Sequence, residues 1–366
     1  VTDFDIDGFR IDTVKHVNDE FWEAFGPELH AHAASLGKTD FFFFGEVFDF
    51  DVQFLSRFST ELPLDATLDF AFQGTARGFA SQSQATDDLR DFYAADDYYT
   101  DADSNAYSQP LFLGNHDIGR IGLFIDQDNP GAADAERVAR SELAHALMYF
   151  GRGMPVIYYG DEQGFVGDGG DQDARQDMMP SQVATYNDDD LIGTAATTAD
   201  DNFDETHPLY QTLSGFAALL DAHPALTRGA QLHRYSESSA GIYAFSRIER
   251  TETVEYVVAL NNSEAAASAA FTTASPGTSF TEIWPGGGPA ITADSSGVLT
   301  VDVPALGVTV YRADAPIAVP AVAPVVTMTT PAAGAEVLGN VEVGATLSDD
   351  AYAEVTFAVS VDGGTY

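Results

Sequence analysis

The stretch Asp7-Gly8-Phe9-Arg10-Ile11-Asp12-Thr13-Val14-Lys15-His16 decides how the first half of this 366-residue chain is interpreted. It ends the apolar run Phe4–Ile11 with an aspartate. Similar apolar runs recur along the chain, at Phe41–Phe48, Ala66–Phe70, Pro110–Leu113 and Pro155–Tyr159. Continuous apolar runs are typical of parallel strands that are buried on both faces, and the four phenylalanines at 41–44 form such a run.

Helix-like segments separate these runs. In the last segment, Leu143, Leu147 and Phe150 recur at the spacing of one helix face. The predicted helices are Asn18–Ser35, Gly74–Tyr93 and Ala133–Phe150. Strands that alternate with helices predict an α/β layer structure for residues 1–225.

The pattern changes after residue 225. Residues 226–313 lack a helical period and alternate short strands with glycine and serine turns, which predicts a small antiparallel sandwich. The predicted strands include Ile242–Arg247, Glu255–Leu260, Val298–Val303 and Gly307–Tyr311. The alanine- and proline-rich residues 314–324 are typical of a semi-rigid linker.

Residues 325–366 are predicted to form a partial immunoglobulin-like β-module. The expected strands are Val325–Thr329, Val341–Leu347 and Glu354–Val361. A segment of this length is too short to bury a stable core by itself.

The charge of the chain excludes several classes of partner. Fifty-seven acidic residues face sixteen basic ones, so the net charge is −41, and only Lys15 and Lys38 are lysines. Nucleic acids and anionic membranes require a basic surface, so neither is expected as a partner. No apolar run is long enough to span a bilayer. The excess of acid favours a high-salt habitat, with an ordinary acidic extracellular enzyme as the alternative. The absence of cysteine excludes disulfides and thiolate chemistry.

Three acidic residues, Asp12, Glu46 and Asp117, stand where apolar runs end. The carboxyl ends of parallel strands converge on one face of a barrel or sheet, so these side chains are expected to meet. Two carboxyl groups at one site suit glycoside hydrolysis, in which one attacks the sugar and the other donates a proton. Helix capping is the alternative role, and it would be preferred for Asp12 alone. Three acids in this position together favour a functional site.

Four segments resemble the α-amylase family. Residues 7–16 resemble the signature at its fourth barrel strand, and Gly45-Glu46-Val47-Phe48 resembles the next signature. Phe112–Asp117 resembles the fourth signature, and Gly153–Glu162 resembles the eighth-strand region that follows it. The resemblance implies that residues 1–225 are the C-terminal portion of a TIM-type (β/α)8 barrel, about strands 4–8, followed by an all-β sandwich domain.

The resemblance also implies roles for the three acids. Asp12 would be the nucleophile of a retaining double displacement, and Glu46 would be the general acid and then the base. Asp117 would bind sugar hydroxyls. Arg10 lies on the same side of an extended strand as Asp12, so its guanidinium is expected to keep Asp12 ionised. The apolar run before Glu46 is expected to raise the pKa of that carboxyl.

Further residues are implied to bind the substrate. His116 would donate to a sugar hydroxyl, and Lys15 and His16 would line the leaving-group side of the cleft. The backbone carbonyl of His16 would also bind a structural calcium. Asp171 and Arg175 match a loop that holds the sugar on the non-reducing side, with a solvent-exposed acidic loop as an equal alternative.

The predicted function is therefore retaining endo-hydrolysis of α-1,4-glucosidic bonds in starch-like α-glucans. Debranching or glucan transfer within the family, and carbohydrate binding without catalysis, remain open. The resemblance implies a secreted protein that is monomeric when full length. The family's first signature and about three barrel strands are expected before Val1, so the chain as given is predicted to fold poorly or associate and to hydrolyse starch weakly.

Overall fold

The computed structural model describes residues 1–318, 322–339, 341–348, 357 and 360. Its first half contains five strands that each pair in parallel with a neighbour. They are β1 (Gly8–Ile11), β2 (Phe42–Gly45), β3 (Ala66–Thr67), β4 (Pro110–Phe112) and β5 (Met154–Val156).

The parallel strands follow one another in chain order. One sheet has the order β1–β2–β3, and β4 pairs with β5 in a second sheet. Two backbone amides link these sheets: the Asp69 amide donates to Pro110 O (3.0 Å), and the Thr67 amide donates to the side chain of Gln109 (3.0 Å). The arrangement agrees with the predicted portion of a (β/α)8 barrel.

Helices lie between and after these strands. They are α1 (Asp19–Ser35), α2 (Val52–Thr60), α3 (Phe70–Ala76), α4 (Asp87–Ala94), α5 (Ile121–Asp128), α6 (Asp134–Phe150), α7 (Ala184–Asn187), α8 (Pro208–Ala222) and α9 (Ala225–Arg228).

Several predicted elements differ from the structure. β1 begins at Gly8 and not at Phe4, β2 ends at Gly45 and not at Phe48, and β5 ends at Val156 and not at Tyr159. The strand expected at Ala66–Phe70 ends at Thr67, because the side chain of Asp69 accepts a hydrogen bond from the Phe72 amide and begins α3. The helix expected at Gly74–Tyr93 is interrupted between a π-helical turn (Arg77–Ser81) and α4.

The interruption of that helix has a long-range cause. Ser83 adopts a left-handed backbone conformation with φ 49°. The side chain of Asn262 donates to the carbonyls of Phe79 (2.9 Å) and Gln84 (2.8 Å). Carbonyl groups of a continuous helix would be used within the helix, so a distant side chain stabilises the break.

The second half is an antiparallel β domain, as predicted. A six-stranded sheet has the order β11–β10–β13–β8–β7–β6, and β12 pairs with β9 in a smaller sheet. The strands are β6 (Ala230–Tyr235), β7 (Ile242–Ile248), β8 (Val254–Asn261), β9 (Ala267–Thr272), β10 (Ser279–Trp284), β11 (Ile291–Thr292), β12 (Val298–Val303) and β13 (Gly307–Pro316). β13 thus extends into the segment assigned to the linker.

The two halves share one apolar core, in which α6 packs on β8 and β13. The buried Arg247 of β7 donates to the carbonyls of Phe150, Thr227 and Gly229 at 2.9–3.0 Å. These bonds hold the ends of α6 and α9 against the β domain.

The last described segment is a hairpin of β14 (Val326–Thr330) and β15 (Gly344–Leu347). The strand predicted at Glu354–Val361 lies outside the described residues, apart from Phe357 and Ser360. Within the described part of the chain, no helix combines the length and apolar character needed to cross a bilayer.

Candidate active site

Asp12 and Glu46 lie side by side because β1 and β2 end in register. Ile11 pairs with Gly45, and the Glu46 amide donates to Ile11 O at 2.7 Å. The Val14 amide then donates to Glu46 O at 3.0 Å. Both acids therefore follow the last paired residues of neighbouring parallel strands, as the sequence predicted.

Arg10 contacts both carboxylates. One guanidinium nitrogen lies 2.6 Å from Asp12 Oδ1, and the other lies 2.9 Å from Glu46 Oε2. A single planar cation therefore fixes the relative position of the two acids.

The two acids have opposite pKa shifts. A hydrogen bond with Glu46, followed by the bond from Arg10, lowers the pKa of Asp12. Burial raises the pKa of Glu46, and the hydrogen bond with Asp12 adds to this effect, while Arg10 opposes it. Asp12 therefore loses its proton at a lower pH than Glu46, which makes Glu46 the better proton donor of the two.

Thr13, the residue after Asp12, has a strained backbone conformation and lies close to Glu46. Thr13 has φ 52°, an unfavourable conformation for a β-branched residue, which costs about 1–3 kcal/mol. Its amide lies 3.5 Å from Glu46 Oε2. Close packing holds this corner, because a Cβ atom on Gly45 would lie 2.7 Å from side-chain atoms of both Val14 and Leu64. Sequence reasoning missed this strain.

A tight turn after β4 carries Asp117. Asn115 and Gly119 exchange backbone hydrogen bonds at 3.0 and 3.1 Å, and the Asn115 side chain accepts from the Asp117 amide at 2.9 Å. His116 Nε2 lies 3.2 Å from Asp117 Oδ2. The charge of His116 also contributes to the lowered pKa of Asp12. His116 therefore pairs with Asp117 and lies close enough to Asp12 to act on its charge.

The neighbouring residues Lys15 and His16 differ from each other in their contacts. The Lys15 amine donates to Phe48 O and lies 3.9 Å from Asp49, so it crosses to the segment that follows Glu46. His16 is exposed. Both residues extend the surface beside the acid pair.

The loop with Asp171 and Arg175 packs directly against the Asp117 turn. A Cβ atom on Gly170 would lie 2.3 Å from Asp117 O, so only glycine permits this approach. Asp171 is left-handed with φ 52° and lies 3.4 Å from the Arg175 guanidinium. The loop therefore lies beside the candidate site.

Arg120 is a second residue that sequence reasoning missed. It is fully buried beneath this loop and lies 3.2 Å from the buried Asp161. Burial raises the pKa of Asp161 to about 7, although Arg120 opposes this shift. An arginine three residues after Asp117, in a chain with sixteen basic residues, was an available signal.

Among the residues that the structure describes, one group of acids could hold a metal ion. Oxygen atoms of Asp168, Asp188 and Asp189 lie within 4.8 Å of one another. Carboxylate oxygens suit hard cations such as calcium. The predicted ligand His16 does not belong to this group.

Comparison with known proteins gives a consistent result. Residues 1–218 match the family described as "Alpha amylase, catalytic domain". An α-amylase of Streptomyces lividans is 46% identical over all 366 residues, and the chain covers 40% of that protein. A cyclomaltodextrin glucanotransferase of Niallia circulans is 26% identical over 285 residues, which are 77% of this chain and 33% of that protein. The chain thus spans well under half the length of both relatives.

The fold also matches solved structures. The crystal structure of an Anoxybacillus α-amylase superposes with a TM-score of 0.67 at 24% identity, covering 85% of this chain and 59% of that one. This similarity confirms the predicted barrel and β domain.

Proposed function

This chain belongs to the α-amylase family, and from that membership we propose that it hydrolyses α-1,4-glucosidic bonds of starch-like glucans with retention of configuration. The observation that carries the proposal is the Asp12–Arg10–Glu46 arrangement. One guanidinium contacts both carboxylates, which favours the narrow separation of roughly 5–5.5 Å used by retaining enzymes over the wider inverting arrangement.

The proposed reaction has two steps. In the first, the ionised Asp12 attacks the anomeric carbon while Glu46 protonates the departing glycosidic oxygen, which gives a glycosyl ester on Asp12. In the second, the Glu46 carboxylate takes a proton from water, and the resulting oxygen nucleophile displaces Asp12 from the sugar. The opposite pKa shifts of these two carboxyls support this division of roles.

The surrounding residues are proposed to bind the glucan. Asp117 and His116 would accept from and donate to hydroxyls of the reacting sugar. Lys15 and His16 would contact the leaving-group side. Asp171 and Arg175 would contact the other side, which is supported by the packing of their loop on the Asp117 turn.

Calcium is proposed as a structural ion. It requires six to eight oxygen ligands, and His16 would contribute a single carbonyl. Asp168, Asp188 and Asp189 offer three carboxylates, so this group fits calcium better among the described residues. A calcium ion would supply positive charge to the acidic loop. Binding is tested by calorimetric titration of the chain with calcium, in comparison with Asp189→Asn; no heat with the parent chain would contradict it.

Glucan transfer is a second candidate, favoured by the similarity to the Niallia circulans glucanotransferase. The higher identity to the Streptomyces lividans α-amylase favours hydrolysis. Maltoheptaose separates them, because hydrolysis gives shorter linear products, whereas transfer gives longer or cyclic ones.

The remaining assignments are proposals as well. A polymeric starch substrate implies action outside the cell. We retain the division into residues 1–225, 226–313, 314–324 and 325–366, except that the β domain continues to Pro316, where β13 ends. The hairpin of β14 and β15 is compatible with the start of an immunoglobulin-like module that spaces or tethers the enzyme.

The decisive experiment traps the proposed intermediate. A fluorinated α-maltosyl fluoride forms the glycosyl ester quickly and loses it slowly, so one turnover is enough for detection by intact-protein mass spectrometry. We expect the added mass on Asp12. Asp12→Asn should give none, while Glu46→Gln should still react, because fluoride leaves without protonation.

Two further variants complete the design. Glu46→Gln should lose about 10²–10⁴-fold of the activity on maltoheptaose while it still binds this sugar. Glu61→Gln is the control, since Glu61 contacts Arg57 on α2, and it should behave as the parent chain. Labelling of a residue other than Asp12, or carbohydrate binding by the parent chain without any labelling, would contradict the proposal.

A further inference from the structure

Arg120 is completely buried, although it carries a charge and lies three residues after Asp117. The Arg120 side chain makes four polar contacts, and all of them are with residues outside the Asn115–Gly119 turn. Nε donates to the Gln176 side chain at 2.7 Å, and one terminal nitrogen donates to Ala174 O at 3.1 Å. The other terminal nitrogen donates to Tyr159 O at 2.7 Å and lies 3.2 Å from Asp161 Oδ1.

Two hydrogen bonds, one of them from Arg120, fix the end of the Gly169–Arg175 loop. Ala174 is buried, and its carbonyl accepts from both Arg120 and the hydroxyl of Tyr158, the latter at 2.9 Å. The Arg120 guanidinium also stacks over the Tyr158 ring, 4.4 Å from its centre. The main chain immediately before Arg175 is therefore held by two donors.

The start of the same loop is fixed on the Asp117 turn. A Cβ atom on Gly170 would lie 2.3 Å from Asp117 O, and one on Gly119 would lie 3.1 Å from Gly169 O. The loop is thus held at one end by the Asp117 turn and at the other by Arg120, which ends that turn.

Charge neutralisation of Asp161 alone does not account for these contacts. Only one of the four involves a charged acceptor. A lysine could pair with Asp161, but it lacks the planar fork that reaches Gln176, Ala174 and Tyr159 together. The geometry therefore indicates a role in holding the loop.

We propose that Arg120 is a positioning residue for glucan binding. It keeps the Gly169–Arg175 loop aligned with the Asp117 turn, so that Asp171 and Arg175 meet the sugar whose hydroxyls Asp117 contacts. This inference rests on the proposed function, which assigns these residues to the glucan.

The test is the double variant Arg120→Met with Asp161→Asn. It removes both buried charges and leaves neither unpaired, so folding is retained, whereas Arg120→Met alone leaves Asp161 unpaired. The loop loses its anchor in both variants. For the double variant we expect a melting temperature near that of the parent chain, a KM for maltoheptaose raised about tenfold, and a kcat within about twofold.

Hydrogen exchange gives an independent measurement without sugar. Amides of residues 169–176 should exchange faster in the double variant than in the parent chain. The matched control is Arg77→Met with Asp128→Asn, which removes a two-bond arginine–aspartate pair elsewhere. It should change neither KM nor exchange in this loop.

A variant without charge change covers the possibility that the double variant fails to fold. Gln176→Leu removes the Nε contact of Arg120 together with the bonds that the Gln176 amide donates to Asp173 O (2.8 Å) and to Asp189 (3.3 Å), and it should raise KM and loop exchange in the same direction. A stable double variant with the parent KM and exchange would overturn the inference, as would Gln176→Leu with no effect on either. A parent chain that neither binds nor hydrolyses maltoheptaose would contradict the proposed function instead, and loop exchange would still decide the role of Arg120.

Discussion

The guanidinium of Arg10 lies 2.6 Å from Asp12 and 2.9 Å from Glu46, yet the pKa of the first acid is lowered and that of the second is raised. Burial of Glu46 and the hydrogen bond between the two acids explain the difference. The side chain of Asp12 is 65% exposed and that of Glu46 is 11% exposed. The hydrogen bond with Glu46 and then the bond from Arg10 stabilise the charge on Asp12, whereas burial of Glu46 outweighs the effect of the same cation.

Arg10→Met should therefore shift the whole pH dependence of kcat/KM upward. Loss of the positive charge favours the protonated form of both carboxyls, so the acidic limb, which reports Asp12, and the basic limb, which reports Glu46, both move to higher pH. The measurement is kcat/KM for maltoheptaose across the pH range. Arg57→Met on α2, whose guanidinium contacts Asp19 and Glu61, is the control and should leave both limbs in place. If the two limbs of the pH profile moved apart, or moved to lower pH, this role for Arg10 would be ruled out.

The sequence was sufficient to place Asp12 and Glu46 because their positions depend on a local rule. Each follows a short apolar strand, and parallel strands end on one face. Arg10 was also predictable, since residues two apart on a strand share a side.

Other features depend on contacts between distant residues, so the sequence did not reveal them. The left-handed Thr13 is held by packing that involves Gly45 and Leu64. Arg120 reaches Gln176, which is 56 residues away. The break in the predicted helix Gly74–Tyr93 requires Asn262 of the β domain. Hydrophobic periodicity within a short stretch of sequence does not reveal such distant partners.

Asp161→Asn should alter the pH dependence of stability. Burial raises the pKa of Asp161 to about 7 from 3.8, so the folded chain binds a proton that the unfolded chain has already lost between those pH values. Stability contributed by this group therefore falls as pH rises through that window. The melting temperature of the variant, relative to the parent chain, should rise from about pH 5 to about pH 8.

Asp294→Asn is the matched control for this measurement. A hydrogen bond from Ser296 lowers the pKa of Asp294 from 3.8, so this group titrates below the window and its variant should keep a constant offset from the parent chain. A constant offset for Asp161→Asn as well would show that Asp161 is ionised throughout.

Arg152→Met should destabilise the chain by about 3–5 kcal/mol, because it leaves a buried carboxylate unpaired. Arg152 and Asp69 are both fully buried and lie 2.8 Å apart. Asp69 also begins α3 and bonds across to β4, so the loss should extend through this part of the barrel. Urea unfolding measures the effect. Arg90→Met, whose arginine is 43% exposed, should cost about 0–1 kcal/mol. Equal losses for both variants would contradict the importance of burial.

Salt should stabilise this chain, because its net charge is −41. The screening length falls from about 10 Å at 0.1 M to about 3 Å at 1 M, which weakens repulsion among surface carboxylates in the folded state. The melting temperature should therefore rise between these concentrations of sodium chloride.

Choline chloride at the same ionic strength separates screening from binding of sodium, since screening predicts an equal rise in melting temperature with both salts. A rise that continues above about 1 M, where screening is nearly complete, favours adaptation to high salt, and a plateau there favours an ordinary acidic enzyme. A melting temperature that falls with salt would show that attractive ion pairs outweigh the repulsion.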